Sequence, residues 1–278
     1  AVIALVVAGV VVLDYKKGTT TEKRRERSRR LVELDSASVT RLELVQSNVT
    51  MVAEKSGDRW QLKQPLEYRA DTGTIHSILD GIEFAEKIRT LTAADLAGMD
   101  LAELGLAPPR IQLTLTARGK PVTLRVGGET PTKNSVYVQV AGREEVCVVE
   151  SYLVQRLQRT VADFRDRVVL DFDPALASRL ELKSADRVME LARQAAGDGP
   201  ALWSFVRPLA ARADQTRVSD LLSGLAALRV QEFVSDDPKD IHTYRLGEPA
   251  REITVSRTGT EGVLTLLVSA PLTNQPHL

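Results

Sequence analysis

Apolar and polar positions alternate in short runs along most of this chain. Residues 39–45 carry Val39, Leu42 and Leu44 against Arg41 and Glu43, a period that predicts a half-buried strand. Residues 50–55 read as its partner, and Ser56-Gly57-Asp58 reads as the turn that follows. A third strand starts at Trp60 and stops at Pro65, which has no amide to give to a ladder. The period then changes. Ile75, Ile78, Leu79 and Ile82 lie on one helical face, with Asp71 placed to cap the helix. Residues 100–104 predict one short helical turn, broken by Gly105 and Pro108-Pro109. Strict alternation returns at 111–117, with Ile111, Leu113 and Leu115 on one face, and continues through strands at 122–126, 136–140 and 146–149. Ser151 opens a last helix to about Arg159.

The same succession then recurs. Arg41-Leu42-Glu43-Leu44 returns as Arg179-Leu180-Glu181-Leu182. Trp60, Pro65 and Asp71 return as Trp203, Pro208 and Asp214, all three at one constant separation. Val218, Leu221, Leu222 and Leu225 supply the second helical face, and Tyr244-Arg245-Leu246-Gly247-Glu248-Pro249 echoes Leu104-Gly105-Leu106-Ala107-Pro108-Pro109. Strands at 253–255 and 263–268 close the copy, and nothing after Pro271 matches the later hairpin and helix of the first one. Internal self-similarity of this kind sets the architecture. The expected class is α+β: two tandem related repeats of mainly antiparallel sheet with helices packed on one face, preceded by an N-terminal hydrophobic helix. The expected divisions are 1–13 for that helix, 14–30 for a basic linker, 31–168 for the first repeat and 169–278 for the second, truncated one.

Residues 1–13, AVIALVVAGVVVL, are apolar or small throughout. As a helix they would span about 20 Å, less than the hydrocarbon core of a bilayer. The chain begins at Ala rather than Met, so the stretch reads as the end of a longer membrane-spanning segment. A cleaved signal peptide competes with that reading, but no small-x-small site precedes Asp14. Residues 14–30 then hold eight Lys/Arg and three Asp/Glu, a composition suited to anionic lipid headgroups. Taken alone, this cluster would keep the following body on the cytoplasmic side.

Composition narrows the picture further. Hydrophobic residues make up 43% and aromatics 4%, so the core rests on Leu, Val, Ile and Ala. Lys+Arg and Asp+Glu are equal at 37 each, which argues against a nucleic-acid binder. Cys147 is the sole cysteine, so no internal disulfide forms, and His76, His242 and His277 have no metal-binding spacing.

The order of short motifs resembles the DUF4340 family. It runs Trp60, Pro65, Asp71, then Leu104-Gly105-Leu106 with Pro109, Gly127, Thr130-Pro131, Val136-Tyr137-Val138 and Phe164-Arg165-Asp166-Arg167. The resemblance covers about 31–271. It implies a bacterial inner-membrane protein with a single-pass anchor and an extracytoplasmic globular part, some relatives being associated with auxiliary components of ABC-type or gliding-motility-like export systems. It carries over no catalytic, cofactor-binding or metal residues.

The remaining motifs are weighed individually. Gly119-Lys120 lacks the upstream glycine and following Ser/Thr of a phosphate loop, and neither Gly-x-Ser-x-Gly nor His-Glu-x-x-His occurs. Trp60 and Trp203 read as core packing rather than stacking platforms. Arg69/Asp71 and Arg212/Asp214 read as helix caps with a nearby ion pair. Arg165-Asp166-Arg167 reads as a solvated hinge, Cys147 as an inert strand filler, and Asp236-Asp237 with Asp240 as a loop or helix start rather than a cation site. The expected function is a non-enzymatic, membrane-anchored accessory or scaffold protein with no cofactor, docking on an ABC-transporter-like or other envelope protein. A ligand-binding module using a cleft between the repeats is the alternative.

Overall fold

In a computed structural model the structure describes residues 25, 27–194, 200–259 and 262–271. The chain forms two compact units that divide between Asp166 and Arg167.

The first unit is built on a nine-stranded antiparallel sheet. Its strands are β1 (Val39–Gln46), β2 (Val49–Ser56), β3 (Arg59–Gln64), β4 (Tyr68–Arg69), β5 (Arg89–Leu91), β6 (Ile111–Ala117), β7 (Lys120–Glu129), β8 (Ser135–Val140) and β9 (Val146–Glu150). They lie in the order β4-β3-β2-β1-β6-β7-β8-β9-β5. The alternation decides the faces. Leu42 and Leu44 pair with Leu115 and Leu113 and are buried. The opposite face carries Arg41, which reaches Glu43 at 3.2 Å and also contacts Glu54. Two helices cover the apolar face, α1 (Thr72–Glu83) and the short α2 (Tyr152–Leu157). Asp71 Oδ1 accepts from the Thr74 N–H at 2.6 Å, a cap worth about 1 kcal/mol. Ile75, Ile78, Leu79 and Ile82 of α1 join Leu153, Val154 and Leu157 of α2 in one core.

The second unit has a six-stranded antiparallel sheet of β10 (Ala177–Ser184), β11 (Arg187–Gln194), β12 (Leu202–Arg207), β13 (Ala211–Arg212), β14 (Arg251–Arg257) and β15 (Val263–Val268). Its order, β13-β12-β11-β10-β14-β15, reproduces β4-β3-β2-β1-β6-β7 of the first sheet. Register agrees as well. The β2–β3 ladder slips between Val52 and Ala53, and the β11–β12 ladder slips between Glu190 and Leu191. Helix α3 (Gln215–Ala227) lies in the place of α1, capped by Asp214, whose Oδ1 accepts from Thr216 and Arg217 at 3.0 and 3.2 Å.

Each unit is closed by an equivalent strand crossing. In the first, Leu31 N–H donates to Ala85 O and Lys87 N–H to Arg29 O. In the second, Val169 N–H donates to Leu228 O and Val230 N–H to Arg167 O. The same bonds explain the position of the unit boundary. Asp71 N–H donates to Phe164 O and Asp166 N–H to Arg69 O, so Phe164, Arg165 and Asp166 belong to the first unit, whereas Arg167 starts the second.

The expected fold class needs correction. The described residues form mostly antiparallel sheet, in two sheets of nine and six strands, with few helices. The physical reason is that only the stretches behind Asp71, Ser151 and Asp214 keep a helical period, while residues 100–105 are turns closed by Glu103 N–H to Asp100 O and Gly105 N–H to Ala102 O. The expected N-terminal hydrophobic helix is also not found. No helix among the described residues is long and apolar enough to cross a membrane, and residues 1–13 lie outside the described residues.

Cys147 lies within β9, opposite Val138 and Thr90, and is 1% exposed. Burial pushes its thiol up from the ordinary value, and Glu145 adds to the effect. Alkylation of the native chain at pH 8 is therefore expected to run about 100-fold or more slower than in denaturant, measured by mass spectrometry. The sign of the linkage follows from the raised pKa. The unfolded chain loses its thiol proton first, so this group's contribution to stability is whole below the unfolded thiol pKa and falls as pH rises through the folded one.

Candidate docking sites

Because the two sheets share order and register, each position in one has a counterpart in the other. Leu182, Met189 and Ile253 correspond to Leu44, Met51 and Leu113 through the ladders β10–β11 and β10–β14, and Leu221 corresponds to Ile78 through the capping Asp. In the first unit all four side chains are buried. In the second they line an open groove of about 430 Å³. Met189 is 40% and Leu221 37% exposed, against 1% for Met51 and 0% for Ile78. The difference has a structural cause. The first unit covers this ground with α2 and the segment after it, where Gln46 Nε2 bonds to Arg159 O and Phe164 enters the core. No described element of the second unit corresponds to α2.

Charge at the groove is also distinctive. Lys183 sits 2.8 Å from Glu181 and 3.4 Å from Glu252. The hydrogen bond to Glu181 is the largest influence on Lys183 and raises it, while the same bond holds Glu181 below the usual carboxylate range. Lys183 is thus neutralised. Arg187 and Arg251 also line the groove, and among the described residues neither lies in an ion pair. They stand where the first unit has Val49 and Ile111. An apolar floor with two guanidinium groups at its rim suits an amphipathic, acidic segment.

A second concavity, of about 470 Å³, lies in the first unit beside residues 85–88 and is lined by Arg29, Phe84, Ile88, Glu150 and Tyr152 among others. Phe84 and Ile88 are exposed, and the Arg30 guanidinium lies 5.5 Å from the Phe84 ring centre. Arg29 and Arg30 thus lie at this cleft.

The motifs singled out in the sequence take structural places. Trp60 and Trp203 are buried in their respective cores. Arg69 Nε lies 3.6 Å from Asp166, and Arg217 Nε lies 3.6 Å from Asp214. Arg165 is not part of a solvated hinge. It is buried, 4.3 Å over the Tyr68 ring, because Ala70 pairs with it across a β-bridge. Asp237 caps a short 3-10 turn, Pro238–Ile241, by accepting from Lys239 N–H at 2.9 Å, and Ser235 holds Asp240. Among the described residues no three His, Cys, Asp or Glu side chains converge as metal ligands.

Sequence reasoning did not find the groove itself, although two signals point to it: arginine at 251 where the first copy has Ile111, and the lack of a second copy of the later hairpin and helix.

A family model described as a domain of unknown function, DUF4340, matches residues 60–201 and 203–275. The chain belongs to the DUF4340 family. The two matched stretches begin at Trp60 and Trp203, which hold the same place in their two DUF4340 units. No curated protein and no solved structure matches the chain.

Proposed function

We propose that this DUF4340 chain is a non-catalytic docking module, held at the bacterial inner membrane through its apolar segment 1–13, whose globular part lies outside the cytoplasm and engages a transporter or other envelope protein. The observation that carries the reading is the groove of the second unit, where Leu182, Met189, Leu221 and Ile253 are left uncovered although their first-unit counterparts are buried. Exposed apolar ground bordered by polar residues is the usual mark of a protein interface. The basic run 14–30 beside segment 1–13 supports attachment to an anionic membrane surface.

Detergent extraction from membranes, followed by copurification with the wild-type chain and with Leu221→Lys, tests the proposal. Leu221 is partly exposed on α3, so the substitution is expected to change stability by less than about 0.5 kcal/mol. A partner retained by the wild type and lost with L221K is the expected result. Recovery of the chain alone from both preparations would overturn the reading.

A further inference from the structure

Among the described residues four strands stand at sheet edges, and they are not alike. β4 and β13 have two residues each and β5 has three, too short to template a neighbouring strand. β15 presents six residues, Val263-Leu264-Thr265-Leu266-Leu267-Val268, with no charge and no proline. None of the usual devices that blunt an edge is present on it. β14 pairs along one side of β15, and among the described residues no strand pairs along the other.

The first unit displays what such an edge receives. Its equivalent strand, β7, carries β8 on that side, with Leu124 opposite Val140, Arg125 opposite Gln139 and Val126 opposite Val138. Val126 and Val268 are counterparts, since they pair with Ile111 and Arg251 at the matching ends of β6 and β14. Val126 is 0% exposed and Val268 39%. Leu124 is buried, while its counterpart Leu266 is only partly covered. Among the described residues the second core therefore has no counterpart of the row of side chains that Val138 and Val140 supply in the first.

From this comparison we infer that the outer edge of β15 is a strand-addition site for an extended segment of a partner protein. The segment binds antiparallel to β15, as β8 binds β7, with β-branched apolar residues at alternate positions facing the core. Main-chain hydrogen bonds to the edge provide affinity, and the alternate side chains provide selectivity. The inference rests on the docking reading of the second unit and names the chemistry of the partner at that site.

The test uses the full chain and a synthetic peptide with the sequence of residues 135–157, carrying Cys147→Ser, as the probe. Hydrogen–deuterium exchange follows 263–268. In the free chain, the amides of β15 that face away from β14 are expected to exchange fast, and saturating peptide to slow them by about 10-fold or more. A peptide with Val136, Val138 and Val140 all replaced by Asp is expected to leave them unchanged. Val268→Lys is expected to weaken peptide binding by about 10-fold, read by fluorescence anisotropy, with the thermal melt of the chain unchanged. Three outcomes would overturn the inference: no slowing at 263–268, equal slowing by the Asp-substituted peptide, or slow exchange in the chain before any peptide is added, which would mean that its own residues or a second copy already cover the edge. A copurified partner that leaves exchange at 263–268 unaltered would sink this inference and keep the docking reading, so the two fail separately.

Discussion

Replacing Gly127 with alanine is expected to destabilise the first unit by about 2–4 kcal/mol, the sum of backbone overpacking and a lost hydrogen bond. The loop around Leu104 crosses β7 at closest approach here. Gly128 N–H donates to Leu104 O at 2.8 Å, and Gly105, with φ of +67°, turns the loop back over the strand. A methyl group on Gly127 would clash with the Leu104 carbonyl oxygen and come within 3.0 Å of the Leu106 side chain. The first of these contacts is backbone, so it cannot be relieved by turning a side chain. The crossing also interrupts the β7–β8 ladder, which shifts register between Val126 and Glu129. Strand, loop and neighbouring hairpin would therefore have to move together.

Gly119→Ala separates this effect from simple backbone preference. Gly119 has φ of +75° but nothing within 4 Å of an added methyl. Its substitution is expected to cost only about 1–2 kcal/mol. The chain has two tryptophans, Trp60 in the first unit and Trp203 in the second, so urea titration of each variant in a Trp203→Phe background reads the first unit alone. A midpoint for Gly127→Ala no lower than that of Gly119→Ala would rule out the crossing as a steric constraint.

Much of this architecture is legible in the chain because its signals are local. Alternation at Leu42/Leu44 and Leu113/Leu115 marks the core face of β1 and β6 without reference to anything distant. Asp71 and Asp214 announce their helices because a cap acts on amides two or three positions away. What is not legible depends on partners remote in sequence. β5 has three residues, Arg89-Thr90-Leu91, and exists only because β9 pairs with it. Arg165 resembles a solvent-facing charge until Ala70 and Tyr68 enclose it. The small share of helix is not legible either, because a few good helical faces do not reveal how many strands each must cover. The groove is an intermediate case. Its residues share the pattern of their buried counterparts, so only the lack of a repeated hairpin and helix distinguishes them. For β15 the sequence supplies an uncharged run, and the structure shows that one side of it is left without a described partner.

Removing Arg179 and Arg207 together is expected to cost the second unit about 3–5 kcal/mol, whereas Glu190→Val is expected to be neutral or to add about 1–4 kcal/mol. Glu190 is 2% exposed on the face of the sheet away from α3. Arg179 contacts its Oε1, and Arg207 Nε lies 3.4 Å from Oε2. The pairing follows from register, since Glu190 sits opposite Glu181 on β10 and Arg207 on β12. The same place in the first unit is held by Val52, opposite Glu43 and Gln64 and equally buried. One backbone site thus accepts either a small apolar side chain or a carboxylate flanked by two guanidinium groups. A carboxylate stripped of its partners stays buried and uncompensated, which is the costly state. Replacing the carboxylate with the residue of the sister unit removes the desolvation penalty, and both arginines are more than half exposed and remain hydrated. Urea denaturation in a Trp60→Phe background, with Trp203 as reporter, checks both variants. If E190V lost more than about 1 kcal/mol, the carboxylate would be contributing net stability beyond its pairing, and the equivalence with Val52 would fail as an energetic argument.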